Sequence, residues 1–202
     1  MDGGGHWIQA GLPTAQEKRH GVSGPVGDLF FEPTLLVPGT IGTDEETFFN
    51  AWLARNARAY FATRNGGVHR GGIMGENSVE LATIPDVELS ERDLCENNLL
   101  CYGTPRSNAV LKRVEGLLSV GFEGNTIYLA DKSYAAEQTA VVAVLPNPVS
   151  AGHYVAVHGG ATPDAIAWGS HLDMMLLPDY LVYSGGDVLD WGFWDHWWLP
   201  KG

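Results

Sequence analysis

Asn98-Leu99-Leu100-Cys101-Tyr102-Gly103-Thr104-Pro105-Arg106-Ser107-Asn108 joins an apolar run, a turn and a helix cap without a break. Leu99 to Tyr102 has no polar face, the pattern of a strand covered on both sides. Gly103 and Thr104-Pro105 end that strand. Ser107 or Asn108 then caps a helix that carries Val110, Leu111, Val114 and Leu117 at helical spacing. The unit is strand, turn, helix, with its polar loop at the strand's carboxyl end, where open α/β sheets take their ligands.

The same logic extends in both directions. Thr34-Leu35-Leu36-Val37, held between Pro33 and Pro38-Gly39, reads as a second central parallel strand. After Gly39-Thr40-Ile41-Gly42, Thr43 or Asp44 starts a helix over about residues 44–63, with Phe48, Phe49, Trp52, Leu53, Ala57 and Tyr60 recurring every three or four residues. The Gly-rich stretch 65–77 reads as a mobile loop before a short strand at Ser78–Thr83, and Ser90 with Asp93 caps one helical turn. Val120–Phe122 and Thr126–Leu129, joined by Glu123-Gly124-Asn125, form a hairpin that is expected to add to the sheet. Thr139–Leu145 and Tyr154–Val157 are linked too briefly for a crossover helix and should run antiparallel. A helix from Pro163 to about residue 173 and a strand at Tyr180–Tyr183 complete the pattern.

The expected fold is therefore α/β: a three-layer sandwich, flavodoxin- or Rossmann-like, with a mixed and mainly parallel sheet plus a β-hairpin. Residues 1–28 read as an N-terminal arm, 29–185 as the α/β domain, and 186–202 as a Trp-rich tail that packs on it. The tail holds Trp191, Trp194, Trp197 and Trp198 with Phe193. It folds back on the domain or docks on a neighbour; a carbohydrate-stacking platform is the less favoured reading, since that requires coplanar exposed rings.

Composition excludes several classes. Twelve Lys and Arg against 24 Asp and Glu give a formal charge of −12, the wrong sign for nucleic acid or an anionic membrane. No apolar run approaches the length of a membrane span, and Met1–Gly5 lacks the pattern of a signal peptide. Two cysteines, Cys95 and Cys101, are too few for a disulfide framework and lack the spacing of a zinc site. The seven histidines never fall at a tight ligand spacing, so no metal is expected, and core or solvated histidines are the ordinary reading. No G-x-G-x-x-G or P-loop pattern occurs, and no cofactor is expected. The closest approach to a hydrolase nucleophile elbow, Gly21-Val22-Ser23-Gly24-Pro25, ends in Pro and has no strand before it, so no catalytic residue is assigned.

One ligand-binding set is expected instead. The loop Gly103, Thr104, Arg106, Ser107 and Asn108 presents helix-start amides and a guanidinium, while Thr40 and Thr162 lie in two further Gly/Thr loops that each precede a helix. Together they would line a polar cleft for a small anionic or carbohydrate ligand. The same residues also serve to end strands and cap helices.

Taken in order, Lys18–Asp28, Leu35-Leu36-Val37, Asn98–Asn108, Pro146-Asn147-Pro148 with His153–Val157, and Leu177–Tyr180 form a set. This set resembles the poorly characterised region found beside bacterial prolyl-oligopeptidase-like or esterase-like α/β-hydrolase domains in long secreted proteins, over most of residues 7–198. The resemblance implies a non-catalytic accessory or interaction domain whose partner is a hydrolase domain or subunit, in a secreted or periplasmic setting. It supplies no catalytic residue within this chain, which departs from the usual arrangement in lacking the hydrolase.

Overall fold

Thr34–Pro38 forms β1 with all five residues buried, as its unbroken apolar run requires. The computed structural model describes residues 17–18, 21–65 and 81–199. A 3-10 segment, Val26–Phe31, leads into β1. Helix α1, Asp44–Asn65, follows. Thr43 caps it reciprocally: Glu46 donates its amide to the Thr43 hydroxyl (3.2 Å), and the Glu46 carboxylate accepts the Thr43 amide (2.8 Å).

Next come β2 (Ala82–Thr83), α2 (Glu91–Glu96) and β3 (Asn98–Tyr102). The capping box expected at Ser90 and Asp93 is present. Helix α3 is only Ala109–Arg113, shorter than the sequence pattern suggested. β4 (Val120–Glu123), β5 (Thr126–Leu129) and β6 (Lys132–Tyr134) follow, then β7 (Thr139–Pro146) and β8 (Tyr154–Gly160). The segment from Pro163 winds as a 3-10 helix to His171 and is followed by a second 3-10 turn, Met174–Leu176. β9 (Tyr180–Ser184) and β10 (Asp187–Gly192) end the order.

Seven strands form one sheet in the order β10-β9-β7-β8-β3-β1-β2. β2, β1, β3 and β8 pair in parallel, whereas the β8/β7, β7/β9 and β9/β10 contacts are antiparallel. Five of the seven strands thus point one way, and the architecture is the mixed, mainly parallel α/β one. The expected antiparallel pairing of β7 with β8 is observed. The hairpin at 120–129 is not added to this sheet. With β6 it forms a separate three-stranded antiparallel sheet.

The small sheet covers one face of the large one: a Cβ on Gly159 would meet the Phe122 ring at 2.8 Å, and Asp190 of β10 accepts from Lys132 and Tyr134 of β6. On the opposite face, α1 packs with Pro163–His171 and against β1, β2 and β3. Leu36, Val37, Leu100, Cys101 and Val141 to Val144 are completely buried between these layers.

The sheet continues through β10, so the last strand lies inside the tail that was expected only to pack on the domain. Beyond it Trp194 is buried, and its indole donates to the Val144 carbonyl (2.7 Å). The tail also clasps the start of the described chain. The Lys18 amide donates to the His196 carbonyl (2.8 Å), the Lys18 ammonium pairs with the buried Asp179 carboxylate, and it lies 4.9 Å from the Trp198 ring centroid. The loop expected at 65–77 and most of the strand expected at 78–83 lie outside the described residues.

Candidate functional site

The strand order makes a topological switch between β1 and β3: the chain leaves β1 towards β2 on one side and leaves β3 towards β8 on the other. That crevice is where a doubly wound sheet takes its ligand. Gly39–Thr43 and Gly103–Asn108 meet there. The Ile41 amide donates to the Ser107 carbonyl (3.1 Å), and a Cβ on Gly39 would come within 2.4 Å of the same oxygen.

The crevice is filled by the protein's own groups. Asn108 is fully buried, and its side-chain carbonyl accepts the amides of Val110 (3.0 Å) and Leu111 (3.2 Å). Its amide group donates to the carbonyls of Val37 (3.0 Å) and Tyr102 (3.1 Å), tying the ends of β1 and β3 together. Asp86 supplies the anion: one carboxylate oxygen accepts the Thr40 amide (2.9 Å) and hydroxyl (2.6 Å), the other the Ala109 amide (2.6 Å). A carboxylate against the first amides of a helix is what a bound phosphate would otherwise provide. Ser107 is turned inward as well, its hydroxyl accepting the Thr104 amide (3.1 Å).

Beside this filled crevice lies a hollow of about 10 Å3, room for one water, with Asn50, Arg106 and Thr162 on its lining. Arg106 is held by Glu46, its Nε at 2.8 Å from a carboxylate oxygen; the arginine side chain is 61% exposed and the glutamate 6%. Burial pushes the Glu46 carboxyl up, but the bonds from the Thr43 amide, the Arg106 guanidinium and the Thr43 hydroxyl outweigh it and hold the group below the usual carboxylate range. The pair has no net charge. The Thr162 hydroxyl is engaged with the Glu137 carbonyl (2.8 Å) and the Asp164 carboxylate (2.7 Å).

The three loops named from the sequence therefore converge, with most of their polar groups satisfied internally. Sequence reasoning missed Asp86, which arrives from the turn after β2 and has no local signature linking it to either loop.

Ser150 and His153 form a contact of a different kind, hydroxyl to Nδ1 at 3.0 Å, in the turn between β7 and β8. The serine hydroxyl also donates to the Cys95 carbonyl at 2.6 Å. Its proton is thus committed to a carbonyl and the imidazole must donate to it, the reverse of a general-base arrangement. Replacing Ser150 by alanine should leave any hydrolysis of p-nitrophenyl acetate by the chain unchanged, as an absorbance assay of both proteins would read. Among the described residues no three His, Cys, Asp or Glu side chains converge as a metal site. No helix among them is long and apolar enough to cross a membrane.

At the far edge of the sheet, β10 is paired on one side only. Trp191 (60% exposed) stands in solvent there with Val188 and Leu189, and Phe193 (47%) follows directly after the strand; Trp197 (50%) is exposed further along the tail. The sequence matches no protein-family model and no curated protein.

Proposed function

We propose that this chain is a non-catalytic accessory domain that binds a neighbouring protein module, an esterase- or peptidase-like α/β-hydrolase. The observation that carries this reading is the β10 edge, where Val188, Leu189, Trp191 and the following Phe193 are exposed and, among the described residues, no strand pairs with the outer side of β10. Patches of this kind mark interaction sites on soluble domains, and an open strand edge invites pairing with another chain. The filled crevice between β1 and β3 supports the non-catalytic part. The identity of the neighbour rests on the ordered motif set from Lys18 to Tyr180.

The test is co-expression of the chain with the hydrolase encoded nearest to it, followed by size-exclusion chromatography with light scattering. A complex that is lost when Leu189 and Trp191 are both changed to serine supports the reading. Separate elution of the two proteins, or a complex indifferent to both substitutions, contradicts it.

A second reading is favoured by the meeting of the Gly103–Asn108 and Gly159–Thr162 loops on one hollow beside the start of α1: a small ligand lies across its mouth, between Arg106 and Thr162. Since Glu46 already neutralises Arg106, an uncharged polar ligand such as a sugar suits the mouth better than a carboxylate or phosphate. A thermal-shift screen against monosaccharides should then show a rise in Tm that Arg106→Ala abolishes. Because the substitution also takes the counter-charge from the buried Glu46 carboxylate, the unliganded Tm should fall as well, and the ligand-induced rise is read against the variant's own unliganded Tm. A rise that survives the substitution removes Arg106 from the site.

A further inference from the structure

The seam between α1 and the chain from Gly169 to Met174 holds a cleft away from the β10 edge and distinct from the Glu46–Arg106 hollow. Its walls are apolar, with Leu53, Ala57 and Phe61 of α1 facing Leu172 and Met174. Its floor is polar, made by Tyr102 of β3 and His158 of β8, which are partners in register. None of the described residues that line it is Asp, Glu, Lys or Arg. Its inner end has a volume of about 20 Å3, enough for one small group, and it opens outward to solvent.

Two features distinguish it from a packing gap. Tyr102 is 1% exposed, and its hydroxyl has no hydrogen-bond partner among the described residues. A buried hydroxyl left in that state is destabilising, and a ligand oxygen would relieve it. His158 is also buried, and its Nε2 lies 2.7 Å from the Tyr183 hydroxyl, which in turn donates to the Ile166 carbonyl (3.3 Å). Nε2 therefore carries the proton and Nδ1 is the bare ring nitrogen. Burial holds this imidazole neutral, with its pKa pushed down to about 3, so the floor presents no charge at ordinary pH.

We propose that this cleft binds a small uncharged molecule with an apolar body and a single hydroxyl or carbonyl oxygen, the oxygen pairing with the Tyr102 hydroxyl. The body lies in the mouth between α1 and Leu172 and Met174. An apolar pocket with a few converging polar groups takes such ligands. Ions are excluded, because no lining residue offers a counter-charge and transfer of an unpaired charge to such a site is prohibitive. The inference is independent of the hydrolase reading.

The experiment is ligand-observed NMR on the full chain with phenol as the probe, toluene as the control without an oxygen, and benzoate as the charged control. Phenol should bind saturably, toluene more weakly, and benzoate not at all. Tyr102→Phe should weaken phenol about ten-fold, to the level of toluene, the worth of one hydrogen bond in a dry site. Because that substitution removes an unpartnered buried hydroxyl, its Tm should be unchanged or higher, so lost binding is not lost folding. Ala57→Leu, which fills the apolar wall, should remove binding of both aromatic probes. If phenol fails to bind the parent chain, the cleft takes water alone and the proposal falls. It falls equally if Tyr102→Phe binds phenol as tightly as the parent.

Discussion

Changing Asn108 to alanine should lower the free energy of unfolding by about 3–5 kcal/mol, the largest loss expected from any polar substitution in this chain. The side chain makes four hydrogen bonds while fully buried, two to α3 amides and two to the terminal carbonyls of β1 and β3. Removing it takes the cap from the Val110 and Leu111 amides and one donor each from the Val37 and Tyr102 carbonyls, the latter keeping the Gly39 amide (3.0 Å). Each buried group left without a partner costs about 1–3 kcal/mol, and loss of the cap alone costs about 1 kcal/mol. Asn108→Asp keeps the acceptor for α3 but sets a negative oxygen against two carbonyls, so it should be no milder. Urea unfolding followed by circular dichroism reads both variants. A loss under about 1 kcal/mol for the alanine variant would mean that water enters the crevice and replaces the side chain.

The second large effect is on pH. His158 titrates near 6.5 in an unfolded chain, but burial holds its folded pKa at about 3. The folded state therefore refuses a proton that the unfolded state accepts. Stability is full above about pH 6.5 and falls by about 1.4 kcal/mol for each pH unit from there towards pH 3. Between pH 7.5 and 5 this residue alone should cost about 2 kcal/mol. The held-down carboxyls of Glu46 and Asp190 lose their contribution only at lower pH, within the carboxylate range. Chemical unfolding at pH 7.5 and 5, for the parent and for His158→Gln, separates the cause. The variant is expected to be less stable at both pH values yet to lose about 2 kcal/mol less between them. Equal slopes for the two proteins would show that His158 is not the group responsible.

The parts of this molecule that were legible in the sequence are those where one physical signal dominates. β1 and β3 have no polar face, and α1 repeats its apolar residues from Phe48 to Tyr60 behind an acidic start, so each announces its own type. The hairpin was legible as two paired strands but not as a separate sheet, because alternation fixes which residues face together and not which sheet they join. β10 was missed: Asp187-Val188-Leu189-Asp190-Trp191-Gly192 carries two acids and a register shift between Val188 and Asp190, which breaks the period of two. The segment from Pro163 was expected as an α-helix and winds as 3-10, with Gly169 pressed so close to His158 that a Cβ there would lie 2.4 Å from the ring.

The candidate site divides in the same way. Thr40, Gly103, Thr104, Arg106, Ser107, Asn108 and Thr162 were found because Gly and Thr after an apolar strand mark a loop at its carboxyl end. Asp86 and the pairing of Glu46 with Arg106 were not, since both depend on chain distant in sequence. Tyr102 and His158 looked like any core residues, because an unpartnered hydroxyl is a property of the packing around it and leaves no trace in the local pattern.

The clasp at Lys18 has a consequence for biosynthesis. Its ammonium meets a carboxylate 161 positions later, and its amide meets the carbonyl of His196. A chain made from its amino end carries Lys18 unlatched until Asp179 and His196 have been added, while β1, α1 and β3 are already free to collapse. Only when Asp179 and the last tryptophans have left the ribosome can the first described residues be locked. Lys18 is thus among the last of the described residues to reach its final place.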